Sequence, residues 1–467
     1  MNEVPRARTR TYPAPGSMTG GEFAVDTSTP AVVLKFDPNV MHHGGLGVIR
    51  SLGRVGVPVY GVHEGTMAPA ANSRYLTGRF FWQPDPARVD RVLTGLQILA
   101  DQIGQPSVLL TTDDAGAIFL AEHGRDLRGS FLFPDPPKDL PRRLAGKYSL
   151  HDLCRELGVP CPQTITPGSL AEARTFAEAT GYPLIAKLTT PWTGGGLRST
   201  SVLTSQEELE HSYETCASNG VGLMLQEFIP GGPEHDWFFH GYCDADSVCR
   251  PAFTGVKERS YPADAGLTSR GRSVPNAALR DQVTGMLTRL KYRGLLDLDI
   301  RLDARTGEYN LLDFNPRLGA QFRLFRDTAG TDVALAAYLD LTNQPIPPGD
   351  QVNERRFLVE NYDPISALSQ MRRGELKPAS WLASLRTVDE TAWFAQDDLR
   401  PFGLMCVRMG WRLASRPFGI NPKPTPPDRI RYRAGRAGRA GRAASDPGQN
   451  STGRPVAPRP QKEETRV

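Results

Sequence analysis

The segment from Gly294 to Gly319 constrains the fold more than any other stretch and reads GLLDLDIRLDARTGEYNLLDFNPRLG. Two runs of alternating apolar and polar residues flank the turn sequence ARTG. Because successive side chains of a strand point to opposite faces, each run predicts a strand with one apolar and one polar face. The turn residues between the runs predict that the two strands pair as an antiparallel β-hairpin.

The polar face of this hairpin carries acids at matching positions. Asp299 and Asp313 are fourteen residues apart (313 − 299 = 14), so a turn centred on Ala304–Gly307 predicts that they lie nearly opposite each other across the hairpin. Two facing carboxylates repel unless a cation lies between them. With Asn315 they form a set of hard oxygen ligands suited to Mg²⁺, and Arg317 can bind a phosphate oxygen. The alternative is a solvated strand face that ends in an Asn-Pro turn.

The composition narrows the classes of protein. The chain has 467 residues, which predicts two to four domains, and a formal net charge of only +4, which does not indicate nucleic-acid binding. No run approaches the roughly 20 apolar residues of a membrane span, and the basic N-terminus lacks the apolar stretch of a signal peptide. We therefore expect a soluble cytoplasmic protein without a membrane partner.

The cysteine and histidine patterns do not predict a zinc site. None of the six cysteines forms a CxxC pair, which indicates reduced thiols. His42 and His43 are adjacent, and because adjacent side chains diverge in regular structure, metal ligation by this pair is the less favoured interpretation.

Strand and helix patterns divide the chain. AVVLK (31–35), a helical pattern over 44–56 and VPVYGV (57–62) predict a parallel βαβ unit. We expect disorder over 1–29, an α/β domain over 30–140, a second domain over 141–345, an accessory region over 346–416 and a basic disordered tail over 417–467.

Charged residues and glycines upstream of the hairpin suggest a phosphate site. Lys187 lies on the apolar strand LIAKL, where a lysine is rare unless its ammonium meets an anion. Glu227 ends a strand at QEFIPG, where it can accept hydrogen bonds from ribose hydroxyls. Taken one at a time, the glycines are typical of a flexible turn and the lysine of a sheet edge. Further residues that can contribute to the suggested phosphate site are Lys147, Gly194, Gly195, Gly196, Asp236 and Lys257.

The order of these motifs resembles the ATP-grasp superfamily over about residues 140–340. The resemblance implies that Lys147 and Lys187 hold nucleotide phosphates, that the glycines at 194–196 form a flap, and that Glu227 binds ribose beside a hinge at Phe228 and Ile229. It implies that Asp299, Asp313 and Asn315 bind two magnesium ions, with Mn²⁺ as an alternative, and that Arg317 and Lys187 act in catalysis. The family usually has Glu at both acidic positions, so Asp297 is an alternative to Asp299.

The first domain resembles the pre-ATP-grasp domain of a carboxylate–amine ligase branch that includes D-aspartate ligase. The expected fold class is therefore α/β, with a parallel α/β domain followed by a two-lobed α+β ATP-grasp domain. The resemblance implies a ligase that uses ATP to convert a carboxylate to an acyl phosphate, which an amine then captures as an amide. A homodimer is common for such folds. Candidate acceptor-binding residues are Arg270, Arg272, Arg323 and Arg326.

Two alternatives stay open at this point. A biotin-carboxylase-like or other phosphotransferring ATP-grasp enzyme would keep the nucleotide site and change the acceptor. A non-catalytic nucleotide-binding protein would instead use the basic tail as its contact surface.

Overall fold

A computed structural model describes residues 24–189, 200–232, 234–261, 266–415 and 430–435. These residues form three β-sheets with helices packed on them. The predicted α/β class and the predicted order of a parallel domain before two antiparallel lobes are confirmed. Among the described residues, no helix combines the length and the apolar character needed to cross a membrane.

The first sheet has six strands, and five of them are parallel. Its core is apolar on both faces because helices cover both, as parallel sheets require. The predicted βαβ unit is confirmed. The elements are β1 (Ala31–Leu34), α1 (Gly44–Arg54), β2 (Val59–His63), β3 (Leu76–Phe81), α2 (Val89–Ile103), β4 (Ser107–Thr111), α3 (Asp114–His123) and β5 (Phe131–Leu132), in the strand order β3-β2-β1-β4-β5.

A pair of short helices and a four-stranded antiparallel sheet follow. Ser169 and Ser205 cap the two helices of this sheet by accepting hydrogen bonds from backbone N–H groups three residues on. The strand order is β6-β9-β7-β8. The elements are α4 (Leu140–Ala145), α5 (Lys147–Leu157), β6 (Thr164–Ile165), α6 (Leu170–Thr180), β7 (Leu184–Leu188), β8 (Thr200–Leu203), α7 (Gln206–Ser218) and β9 (Leu223–Glu227).

The third sheet has seven strands in the order β14-β13-β10-β11-β12-β15-β16. The predicted hairpin is confirmed as β13 and β14, and Asp299 is the register partner of Asp313. The elements are β10 (Asp236–Cys243), β11 (Cys249–Tyr261), β12 (Leu267–Ser273), α8 (Ala277–Leu290), β13 (Gly294–Leu302), β14 (Tyr309–Asn315), α9 (Val333–Leu341), β15 (Arg356–Leu358), α10 (Asp363–Arg372), α11 (Pro378–Leu385), β16 (Glu390–Thr391) and α12 (Leu399–Ser415).

Two predictions of disorder, one for each end of the chain, differ in part from the structure. The prediction of disorder over 417–467 is wrong for β17 (Arg431–Ala434), which pairs antiparallel with the edge strand β3. The prediction of disorder over 1–29 is wrong for its last residues, because Val25 is buried and the Asp26 N–H donates to Gln344 Oε1 over 2.7 Å. Both segments are ordered by partners far away in the chain, which local composition does not reveal.

The accessory region is continuous with the other parts of the molecule. Its strands β15 and β16 extend the seven-stranded sheet, so this sheet continues past the domain boundary predicted at residue 345. Leu46 of α1, Phe325 and Trp393 belong to one hydrophobic core. Arg50 and Asp398 add a buried ion pair with a 3.1 Å separation between Nε and Oδ2. This packing fixes the first domain against the seven-stranded sheet, on which the candidate site lies.

Candidate active site

The polar face of the hairpin brings two carboxylates together. Lys257 Nζ lies 2.8 Å from Asp299 Oδ1, whereas no hydrogen bond or ion pair reaches the Asp313 carboxylate from the described residues. Burial and the neighbouring charge of Asp299 raise the pKa of Asp313. Burial alone would lower the pKa of Lys257, but the Asp299 carboxylate reverses this and raises it. The site therefore holds one satisfied and one unsatisfied carboxylate.

This arrangement fits a hard cation that is shared with a ligand. In the described part of the chain, no group of three His, Cys, Asp or Glu side chains surrounds a common metal position. Asp299, Asp313 and the amide of Asn315 can thus supply only part of a coordination shell. Mg²⁺ is commonly bound in this way, with phosphate oxygens and water completing the octahedron.

The apolar strand β7 carries a lysine toward these acids. Lys187 Nζ donates to Gln226 Oε1 over 2.8 Å. Burial lowers the pKa of Lys187, and the positive charge of Lys147 acts in the same direction, while Asp313 and Asp299 oppose it. Lys147 is exposed at the first turn of α5. The structure therefore places both lysines and both acids within electrostatic reach of one another, as expected for a site that binds several phosphates.

Glu227 lies at the end of β9, beside the hairpin turn. Gln163 donates its backbone N–H to Glu227 Oε2 over 3.3 Å, and Gln163 O accepts the Glu227 N–H over 2.8 Å. Arg305 Nη2 lies 2.8 Å from Glu227 Oε1. Ile229 is buried, and Phe228 is partly exposed. Arg305, in the turn of the hairpin, was not predicted as a site residue. The turn brings its guanidinium to the carboxylate of Glu227, the residue predicted to bind ribose.

Asp236 has a partner within the protein. Its Oδ1 lies 2.5 Å from Arg301 Nε, and the two residues are register partners on β10 and β13. Arg301 Nη1 also donates to Ile229 O over 3.1 Å. Asp236 thus orients Arg301, which in turn holds the backbone after β9. The predicted flap glycines 194–196 lie outside the described residues.

A second polar cluster lies behind the first. Arg317 Nη1 donates to Asp297 Oδ2 over 2.7 Å, and His240 Nε2 lies 3.3 Å from Asp297 Oδ1. Arg317 Nε also lies 3.5 Å from Asp114 Oδ1 at the start of α3. A Cβ added to Gly319 would collide with His240 and Asp297, so this close packing requires glycine.

The electrostatics of this second cluster keep the arginine charged. Burial would lower the pKa of Arg317, but Asp297 and Asp114 raise it. Burial raises the pKa of Asp114 to about 6 despite Arg317. Burial lowers the pKa of His240. Neither His240 nor Asp114 was predicted from the sequence as a site residue. The pattern that could have indicated His240 is the alternation of strand side chains, which places it on the same face of β10 as Asp236. No such pattern indicated Asp114.

Three of the four candidate acceptor arginines are paired within the protein. Arg270 pairs with Glu258, and Arg272 with Glu234 and Glu354. Arg323 Nη2 lies 3.0 Å from Glu390 Oε1. Arg326 has no ion pair among the described residues.

Two small cavities lie near these elements. One, of about 10 Å³, is lined by Arg323, His43 and Glu390, between α1 and β16. It has room for about one water, and its acid and base already pair with each other. The other, of about 40 Å³, lies between β4 and the seven-stranded sheet and borders Arg317.

Comparisons with known proteins agree with this architecture. No family model matches the chain. An N5-carboxyaminoimidazole synthetase from Staphylococcus aureus superposes with a TM-score of 0.51 at 11% identity, covering 70% of this chain and 81% of that one. A carboxyaminoimidazole ribonucleotide synthase from Aspergillus clavatus, solved with ATP, gives a TM-score of 0.50 at 14% identity and covers 70% and 80%. The chain therefore has the ATP-grasp fold.

Sequence comparisons with known proteins give a second set of similarities. The chain is 24% identical over 255 residues to D-aspartate ligase from Enterococcus faecium (strain Aus0004), which covers 50% of this chain and 59% of that enzyme. It is also 24% identical over 214 residues to a urea amidolyase from Saccharomyces cerevisiae, covering 43% of this chain and 11% of that protein. The chain thus spans less than two thirds of the length of these relatives. The resemblance to ATP-grasp carboxylate–amine ligases is confirmed.

Proposed function

We propose that the chain is an ATP-dependent ligase that joins a carboxylate to an amine. The observation that carries the proposal is the Asp313 carboxylate, which faces Asp299 beside Lys187 and has no ion pair within the described ranges of the chain. Such a set of charges binds a nucleotide phosphate together with Mg²⁺. The similarity to D-aspartate ligase supports the choice of an amide-forming reaction.

The proposed reaction has two steps. A substrate carboxylate oxygen attacks the γ-phosphorus of ATP, the bond to the β-phosphate oxygen breaks, and ADP leaves. The amine then attacks the acyl carbon of the acyl phosphate, phosphate leaves, and the nitrogen loses a proton. Because phosphoryl transfer is catalysed chiefly by positioning and charge neutralisation, this chemistry needs charged groups more than a protein acid or base.

Each residue has a proposed role in this scheme. Lys187 and Lys147 bind the phosphates, and Glu227 accepts hydrogen bonds from the ribose, with Arg305 fixing its carboxylate. Asp299, Asp313 and Asn315 would hold magnesium, which would neutralise negative charge on the nucleotide phosphates. The glycines at 194–196 are proposed to close over the phosphates and exclude water from the acyl phosphate.

Arg317 is proposed to bind the transferring phosphoryl group. The contacts with Asp297 and Asp114 hold its guanidinium in place and keep it charged. Planar guanidinium groups bind phosphate oxygens in a two-pronged manner, which an ammonium cannot do. Arg317→Lys should therefore retain the charge at this position and still lose most of the activity.

An amino acid is proposed as the amine substrate. D-Aspartate is accordingly the first amine to test, as the name of the relative from Enterococcus faecium suggests. A cytoplasmic location and a homodimer stay predictions.

The test is an ADP-release assay with ATP, Mg²⁺ and panels of carboxylates and amines, with amide formation followed by mass spectrometry. We expect ADP release that needs both substrates and yields one amide per ADP. Asn315→Ala should reduce this rate by about 100-fold or more, as expected when one electrostatic contact at the reacting phosphate is lost. Wild-type turnover in Asn315→Ala would overturn the metal assignment.

A further inference from the structure

Two cysteines that lie close to the proposed nucleotide site have no role in the proposed reaction. Cys154 lies on α5 and is buried, and Cys161 follows the end of that helix and is partly exposed. Gly158 ends the helix with a φ of 59°, which turns the chain back. The Cys161 side chain consequently packs against the same apolar cluster that contains Cys154.

A histidine completes this group. His151 Nδ1 lies 3.4 Å from Cys161 Sγ, from a position one turn before Cys154 on α5. The neighbouring Cys154 thiol holds the pKa of Cys161 below its ordinary value against the effect of burial, and His151 and Arg155 act in the same direction. A thiol in contact with a basic residue and near solvent is the usual environment of a reactive cysteine.

We propose that Cys161 is a peroxide-sensitive nucleophilic thiol that forms a disulfide with Cys154 and thereby weakens nucleotide binding. The Cys161 thiolate attacks one oxygen of hydrogen peroxide, the O–O bond breaks, and hydroxide leaves, giving a sulfenic acid. The Cys154 sulfur then attacks Cys161, the S–S bond forms, and the sulfenic oxygen leaves as water. In total two thiols lose two electrons and two protons, and one peroxide becomes two waters.

The segment around Cys161 connects this thiol to the proposed nucleotide site. This connection rests on the proposed function. Pro160 O accepts the backbone N–H of Leu311 on β14, over 2.9 Å. Gln163 exchanges hydrogen bonds with Glu227, the proposed ribose ligand. Bringing the Cys161 sulfur to covalent distance from the Cys154 sulfur must shift the short segment between these two anchors. The carboxylate of Glu227 and strand β14 are the groups that move.

The first experiment measures thiol reactivity on the full-length protein. The rate of alkylation by iodoacetamide at pH 6 is followed for each cysteine by peptide mass spectrometry. We expect Cys161 to react about tenfold faster than Cys406, although Cys406 is more exposed. His151→Asn should remove this advantage, whereas His211→Asn, an exposed histidine on α7, should not. A Cys161 rate equal to or below that of Cys406 would overturn the proposal.

The second experiment maps oxidation products after treatment with hydrogen peroxide. A Cys154–Cys161 disulfide should form first, and a thiol reductant should reverse it. In Cys154→Ser, a sulfenic acid at Cys161 should accumulate and be trapped by dimedone. Cys243 and Cys249 are register partners on β10 and β11 and serve as an internal comparison pair. Preferential oxidation of that pair would also overturn the proposal.

The third experiment measures the Kd for ATP by calorimetry before and after oxidation. We expect an increase of about tenfold or more in the wild-type protein and none in Cys161→Ser. An unchanged Kd in fully oxidised protein would overturn the regulatory part of the proposal. If the reduced protein does not bind ATP, the proposed function fails instead, and the first two measurements still decide whether Cys161 is the reactive thiol.

Discussion

Asp299 and Asp313 are register partners on neighbouring strands, and the Lys257 ammonium lies 2.8 Å from the Asp299 carboxylate. Among the residues that the structure describes, none forms a hydrogen bond or an ion pair with the Asp313 carboxylate. Burial and the repulsion from Asp299 raise its pKa, which is a cost to the folded protein at neutral pH. A residue that is unfavourable for folding and faces a lysine-rich site is a strong candidate for a ligand to a cation.

Asp313→Asn should separate function from stability. We expect ligase turnover to fall by about 100-fold or more and the apparent affinity for Mg²⁺ to weaken, because one anionic ligand is lost. The melting temperature at pH 7 should stay the same or rise, since a partly buried charge with a raised pKa has been removed. Asp246→Asn, in an exposed turn, is the matched control and should change neither quantity. A variant with normal Mg²⁺ dependence would contradict the role given to Asp313.

Asp297 should be needed for stability as well as for activity. It is buried and is the counterion of Arg317, with His240 beside it. Asp297→Asn leaves the Arg317 charge without its closest partner, so we expect the free energy of unfolding to fall by about 3 kcal/mol. Urea denaturation measures this loss. Asp281→Asn, at an exposed position on α8, is the control and should lie within about 0.5 kcal/mol of wild type.

His63 should make the protein less stable in acid. Burial lowers its pKa from 6.5 to about 3 in the folded state. Between these values the unfolded chain binds a proton that the folded chain does not, so the free energy of unfolding falls as the pH falls. This residue alone should contribute a slope of about 1 kcal/mol per pH unit between pH 6 and pH 4.

The slope is measured by urea denaturation at several pH values. His63→Gln should reduce it, and comparing slopes removes any constant effect of the substitution on packing. His211→Gln, at an exposed position on α7, should leave the slope as it is in the wild type. Equal slopes in wild type and His63→Gln would show that this histidine does not drive acid unfolding.

Two truncations should reveal the role of β17. Tyr432 packs on Phe80 with 5.2 Å between the ring centroids, and β17 covers the edge of β3. A chain ending at Gly435 retains this strand, and we expect it to melt like the full-length protein. A chain ending at residue 429 exposes the edge and should lose about 1 to 2 kcal/mol of stability. Calorimetry of the two forms measures the difference; equal melting temperatures would show that β17 contributes little.

The hairpin could be predicted because its information is local. A short turn sets the register of the strand residues next to it, and here Ile300 faces Leu311. The spacing of Asp299 and Asp313 predicts that they lie nearly opposite each other, and a β-bulge between Asp299 and Ile300 makes them register partners. The alternation of apolar and polar residues then specifies which face is buried. Lys187 was recognisable for a related reason, since a lysine on an apolar strand needs an anionic partner.

The partners of these residues depended on contacts between distant parts of the chain. His240 meets Asp297 because β10 pairs with β13, and Asp114 meets Arg317 because α3 of the first domain packs against the third sheet. Similarly, β17 is ordered by β3, although its basic composition is typical of disorder. Neither hydrophobic periodicity nor turn residues carry information on such pairings.

The sequence by itself determined the polar face of the hairpin and the class of fold, because periodicity and charge act over a few neighbouring residues. Only the tertiary structure decided which charges are already neutralised: Lys257 pairs with Asp299 and Arg317 with Asp297, whereas Asp313 has no ion pair in the part of the chain that the structure describes. The physical reason is that electrostatic energies depend on distances and burial, which are set by the packing of all three sheets.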